Sequence, residues 1–184
     1  MFFYPWQRLL AAAEQGDLFV GHIAFEARPL SDPGDQLGQL KAAFRLRSSY
    51  QKEIGQASDL GWFMLRFPNH LKHSLMAKRM IWCVRTILIA RLAEKGKLVF
   101  APKALAEMAP SKSARELLAE RRRRLPDDRM QKNFRKFLVA MVDRQRWQRE
   151  ESIEFFLQRF AETSNDVALK TIEQNESFRK LAYE

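Results

Sequence analysis

The sequence predicts a mainly α-helical bundle, with at most one short extended segment near residues 27–31. Three observations carry this expectation. Gly and Pro are scarce, seven of each in 184 residues, so few positions interrupt a helix. Apolar residues recur at helical spacing along almost the whole chain, whereas alternating, strand-like runs are nearly absent. A hydrophobic content of 46% supplies the side chains for a real core.

In chain order, Pro5 suits the first turn of a helix over Tyr4–Gln15, with Trp6, Leu9, Leu10 and Ala13 on one face and Gly16 at its end. Asp17 is placed to cap a second helix, Leu18–Glu26. Its expected inward set is Leu18, Phe19, His22, Ile23 and Phe25, with His22 as a core histidine. Arg28–Leu30 reads as extended, and Ser31-Asp32-Pro33-Gly34 as a turn before a cap at Asp35. Gln36–Phe67 supports one long helix or two, with Gly55 and Gly61 as the weak points.

The longest helical pattern is Asn69–Val99, between Pro68 and Gly96. Leu71, Leu75, Trp82, Ile89 and Leu92 form one row, and Met76, Met80, Cys83, Ile87 and Ala90 a second. Lys78 and Arg85 fall on the first row. A cation on an apolar face must be paired or must meet a ligand, so Lys78 and Arg85 are cleft candidates.

Pro102 opens a short helix to Met108, and Ser111 or Ser113 caps another that runs to Arg124. Pro126 stops it, and Asp127 and Asp128 cap Arg129–Gln145 with a stripe of Met130, Phe134, Phe137, Leu138, Met141 and Val142. Glu150–Ala161 carries Ile153, Phe156, Leu157 and Phe160. Ser164-Asn165-Asp166 caps a last helix with Val167, Leu169, Ile172, Phe178 and Leu181 inward.

Charge is concentrated. Residues 1–64 hold 6 basic and 7 acidic side chains, residues 148–184 hold 5 and 8, and residues 65–147 hold 21 and 7. The middle segment, at +14, thus exceeds the net +10 of the chain. Such a field attracts a polyanion or an acidic protein, or simply solvates a helical surface. The sharpest part is Arg121, Arg122, Arg123 and Arg124, followed by Arg129, Lys132, Arg135 and Lys136 on the polar side of the next helix. Together they form a strip able to track a phosphate backbone without reading bases, with Trp147 available for stacking. The single Cys83 excludes an intrachain disulfide framework and fits a reducing compartment. No secretory signal pattern is evident. The most apolar stretch, Met80–Ala93, is cut by Arg85 and Arg91 and is too short to span a bilayer. A cytoplasmic protein without a membrane partner is the expectation.

One segment carries a family likeness. Gly16-Asp17-Leu18-Phe19-Val20-Gly21-His22-Ile23, followed by Glu26-Ala27-Arg28-Pro29-Leu30-Ser31-Asp32-Pro33, resembles the end of a nucleotidyltransferase domain of the DNA polymerase β superfamily. Lys78–Arg85 and Pro102–Leu105 are similar to the helical bundle that follows such domains, including HEPN-type helical partners. The resemblance spans Phe3–Met108. It implies residues 1–34 as a helical remnant of such a domain and 35–184 as a bundle, divisible into a 35–108 core and a 109–184 extension. The family's Gly-Ser and Asp-x-Asp, whose carboxylates hold two metal ions, have no counterpart in this chain. The resemblance therefore implies a shortened family member or one half of a split system, without nucleotidyl transfer by this chain alone. HEPN ribonucleases carry an arginine and a histidine with four to six residues between them. Arg66 and His73 are spaced to fit, although Pro68 lies between them.

Three functions stay open. The leading one is a non-catalytic module that binds nucleic acid, RNA ahead of DNA, or an acidic or nucleotidyltransferase partner. The second is a metal-independent ribonuclease, a toxin or defence effector, using Arg66 and His73. The third is a structural bundle forming a homo-oligomer, the acidic Glu150, Glu151 and Glu154 pairing with a neighbour's basic middle. No metal site and no cofactor is expected: His70 and His73 have no carboxylate nearby in sequence, and no Gly-rich phosphate loop is present.

Overall fold

The computed structural model describes residues 4–122, 125–142 and 151–181. Among these, every regular element is a helix. The order is α1 (Trp6–Glu14), α2 (Leu18–Glu26), α3 (Gln36–Ala43), α4 (Gln51–Arg66), α5 (His73–Ala93), α6 (Pro102–Glu107), α7 (Lys112–Ala119), α8 (Asp128–Met141), α9 (Ile153–Glu162) and α10 (Asp166–Leu181). The mainly α bundle is thus observed, and the stretch after α2 is extended at Ala27 without forming a strand among the described residues.

The α4–α5 hairpin is the centre. Both helices are buried over most of their length, with Ile54, Leu60, Phe63 and Met64 from α4 meeting Met80, Val84 and Ile87 from α5. α6, α7 and α8 pack against the hairpin, α9 packs against α4, and α10 packs against α9. The second apolar row of α5 is the buried one: Met76, Met80, Cys83, Ile87 and Ala90 are all shielded. Phe63, Phe67, Phe156 and Phe160 stack edge-on or tilted at 5.5–6.1 Å, which fixes α9 on α4. A smaller cluster joins α1, α2 and α3 through Ala13, Val20, Ala24, Leu40 and Phe44.

Half of the helices among the described residues carry a side-chain N-cap. Gly16, at φ +67°, closes α1 with Gly16 N donating to Ala13 O and Asp17 N to Ala12 O. Asp17, Ser111, Asp127 and Ser152 each accept from the backbone N–H three residues on. Asn165 does the same for α10, accepting from Ala168 N at 3.2 Å.

Several expectations are corrected. α5 starts at His73 rather than Asn69. Pro68 turns the chain, and Asn175 of α10 clamps this turn, accepting from Lys72 N at 2.9 Å and donating to His70 O at 2.8 Å. Gln36–Phe67 is two helices, but the break lies at residues 44–50, not at Gly55 or Gly61. The start of α4 is held from outside, Glu94 accepting from Tyr50 N at 2.9 Å. Asp35 makes no side-chain cap, and Asp32 accepts from Gln36 N and Leu37 N instead. α2 is rotated from its expected facing: Val20, Gly21 and Ala24 are buried, while Phe19 and Phe25 are exposed. His22 is not a core residue. Its side chain is 46% exposed, with Nε2 3.4 Å from Glu26 Oε2. α9 begins at Ile153, capped by Ser152, rather than at Glu150. Glu150, Trp147 and the side chains of Phe178 and Leu181 lie outside the described residues.

Gly61 allows α8 to approach α4. A Cβ there would lie 2.9 Å from Leu138 Cδ1 and 3.0 Å from Phe134 Cζ. Gly61→Val is therefore expected to cost about 1–3 kcal/mol by overpacking, read as a lower urea midpoint. An unchanged midpoint would mean that the two helices separate without penalty.

Candidate functional site

The α7–α8 hairpin presents the basic strip. Both helices are strongly amphipathic. α7 buries Ala114, Leu117 and Leu118, and α8 buries Met130, Asn133, Phe134, Phe137 and Leu138. This packing turns the polar face of each helix outward and holds it rigidly. Between the two polar faces runs a groove of about 420 Å³, lined by Lys112, Arg129 and Lys136 with Ser111, Ser113 and Glu116.

Glu116 organises the groove. It accepts from Asn133 Nδ2 at 2.7 Å, and Arg129 Nη2 and Lys112 Nζ approach it at 3.4 and 3.9 Å. The Asn133 hydrogen bond, followed by the Arg129 and Lys112 charges, holds its carboxyl below the usual carboxylate range. One anion thus meets Arg129 across the hairpin and Lys112 along its own helix, and the local balance stays positive.

On α8, Lys132, Arg135 and Lys136, the last of which also lines the groove, are exposed and make no ion pair among the described residues. They occupy one arc of α8, because positions three and four apart share a helix face. Arg121 donates to Leu118 O at 3.3 Å, closing α7, and Arg122 is exposed. Arg123 and Arg124 lie outside the described residues. The structure therefore gathers Arg129, Lys132, Arg135 and Lys136 on one helix, with Lys112 joining them from α7. Sequence inspection passed over Lys112, whose spacing from the strip becomes close only through the hairpin.

Lys78 and Arg85 line a separate cleft of about 590 Å³ between α2 and α5. Lys78 is exposed and Arg85 half-buried, and with Trp82 and Ile89 of the same row, which also pack against the core, they border the cleft. Neither makes an ion pair among the described residues.

Among the cavities formed by the described residues, none of those at α1–α2, α2–α5, α7–α8 or the start of α5 is lined by both Arg66 and His73. Arg66 ends α4 and lies over the Phe67 ring at 5.8 Å. His73 is exposed at the start of α5, in a shallow depression with Lys72, Leu125 and Asn175 that Arg66 does not line. Cys83 is fully buried, and burial pushes its thiol far above the ordinary value, so it stays protonated. No group of three or more His, Cys, Asp or Glu able to hold a metal ion occurs among the described residues. No helix among them is long and apolar enough to cross a membrane.

Several polar contacts that tie distant elements together have no local signature in the sequence. Asp59, only 1% exposed, accepts from Arg159 Nε at 2.5 Å across α4 and α9. Asn165 donates to Gln56 O at 2.8 Å, and Gln56 Nε2 donates back to Thr163 O at 2.8 Å. Each partner lies about a hundred residues away, beyond the reach of local patterns. Comparison of the chain with protein-family models, with curated proteins and with solved structures finds no match.

Proposed function

We propose that this chain is a non-catalytic helical module that binds nucleic acid along its phosphate backbone through the α7–α8 face. The observation that carries the reading is the arc of Lys132, Arg135 and Lys136: exposed, without counter-ions among the described residues, on a helix whose other face is locked into the core. Cations on a packed helix, at a groove that also holds Lys112 and Arg129, suit a repeating anion. No base-reading element is evident, so binding follows charge rather than sequence. A preference for RNA over DNA, and an ancestry shared with nucleotidyltransferase and HEPN bundles, belong to the same proposal and rest on the residue likeness described above.

The test is binding of a labelled single-stranded RNA, a matching DNA and poly-glutamate at about 50 mM and about 200 mM salt. Four phosphate contacts on a single strand predict roughly a fifty-fold loss of affinity over that range. Tight binding of poly-glutamate alone would move the reading to an acidic protein partner. RNA cleavage in EDTA that disappears in His73→Ala would replace it with the ribonuclease. No binding to any of the three would remove it.

A further inference from the structure

The cleft between α2 and α5 has a different character from the basic groove. At about 590 Å³ it falls within the usual range of small-molecule sites. Its walls are mainly apolar, with Ile81, Trp82 and Ile89 from α5 facing Leu18 of α2 and the Phe100 ring. Its cations are few and placed. Lys78, Trp82, Arg85 and Ile89 follow one another at helical spacings of four, three and four, so the indole lies between the two charges on one face.

The site is built rather than incidental. Arg85 Nη2 donates to the Phe100 carbonyl at 3.3 Å, which orients the guanidinium. Its Nε–H is buried and has no acceptor among the described residues, a costly state. His22 stacks on Phe100 with centroids 5.3 Å apart and planes 21° apart. Glu26 holds the same connector, accepting from Phe100 N at 3.2 Å and Ala101 N at 3.0 Å. The wall opposite α5 is thereby fixed.

The two carboxylates at the cleft are already engaged. Asp17 caps α2 and Glu53 pairs with Arg47. Both lie where the cleft meets a neighbouring depression, whereas His22, Lys78 and Arg85 line the cleft alone. The cations therefore share their end of the cleft with Leu18, Ile81, Ile89 and Phe100, which also line the cleft alone.

We infer that this cleft binds a small organic anion, with a planar apolar body against Trp82, Ile81 and Phe100 and a carboxylate or phosphate head at Lys78 and Arg85. It is a second site, independent of the α7–α8 face.

Calorimetry with 1-naphthoate, 1-naphthyl phosphate, neutral 1-naphthylmethanol and inorganic phosphate tests it. At least one aromatic anion is expected to bind saturably, and the better of the two identifies the head group. The neutral alcohol and inorganic phosphate are each expected to bind at least about tenfold more weakly, since a charge-assisted hydrogen bond is worth that factor. Lys78→Gln and Arg85→Gln should each weaken the anion by about tenfold, and Trp82→Phe should preserve binding better than Trp82→Ala. Lys78 is exposed, so Lys78→Gln keeps the test decisive should Arg85→Gln fail to fold. Equal binding of the alcohol and the anions, unchanged binding in Lys78→Gln, or no saturable binding of either anion would overturn the inference. Lys132→Glu/Arg135→Glu/Lys136→Glu should leave naphthoate binding intact, which separates this site from the nucleic-acid reading.

Discussion

Arg159→Met is expected to lower the unfolding free energy by about 3–5 kcal/mol near neutral pH, because it strands a buried carboxylate. Asp59 is 1% exposed, and its Oδ1 has no hydrogen-bond partner among the described residues, so Arg159 provides its main compensation. Burial raises the Asp59 carboxyl from 3.8 to about 6, with the Arg159 charge and hydrogen bond working against that rise. A folded-state value above the unfolded one means that folding takes up a proton between these two pH values. The contribution of Asp59 is thus fully present below about pH 4 and is lost as the pH rises through about 6. Removing Arg159 moves the carboxyl further up. The loss in Arg159→Met should therefore be large near pH 7.5 and much smaller near pH 4.5, as about neutral and mildly acidic urea titrations would read. A small loss that does not change with pH would mean that the pair is solvated rather than buried.

The triple variant Lys132→Glu/Arg135→Glu/Lys136→Glu is expected to lose roughly a hundred-fold in affinity for single-stranded RNA at about 100 mM salt. Each phosphate contact on a single strand contributes a factor of about five there through counter-ion release, and three are removed. The side chains are exposed and make no ion pair among the described residues, so stability should change by no more than about 0.5 kcal/mol per site. Anisotropy titration beside a thermal melt separates the two effects. Wild-type affinity in a folded triple variant would place binding elsewhere on the molecule.

The helical class was legible because periodicity and caps are local. Asp17, Ser111, Asp127 and the Ser164-Asn165-Asp166 stretch each begin a helix near where their side chains predict. The strip on α8 was legible for the same reason, since an amphipathic helix shows its polar arc in the sequence alone. What escaped depends on tertiary partners. Glu94 holds the start of α4, Asn175 bolts the turn before α5, and Arg159 meets Asp59, each through a contact spanning tens of residues or more. The facing of α2 was misread because nine residues with apolar side chains on nearly every side give no clear stripe. Packing chose the face with Val20, Gly21 and Ala24, where Gly21 lets the Phe44 and Phe100 rings approach. Lys78 and Arg85 were singled out for lying on an apolar row. That row turns out to border a cleft, which explains why it can carry charge.

A two-dimensional amide spectrum of the folded chain, recorded as single-stranded RNA is added, tests the central claim most directly. Binding along the α7–α8 face predicts the largest shifts at Lys112, Glu116, Arg129, Lys132, Asn133 and Lys136, with α2 and the start of α5 little changed. Shifts centred on His22, Lys78 and Arg85, or on Arg66 and His73, with α7 and α8 unmoved, would contradict it.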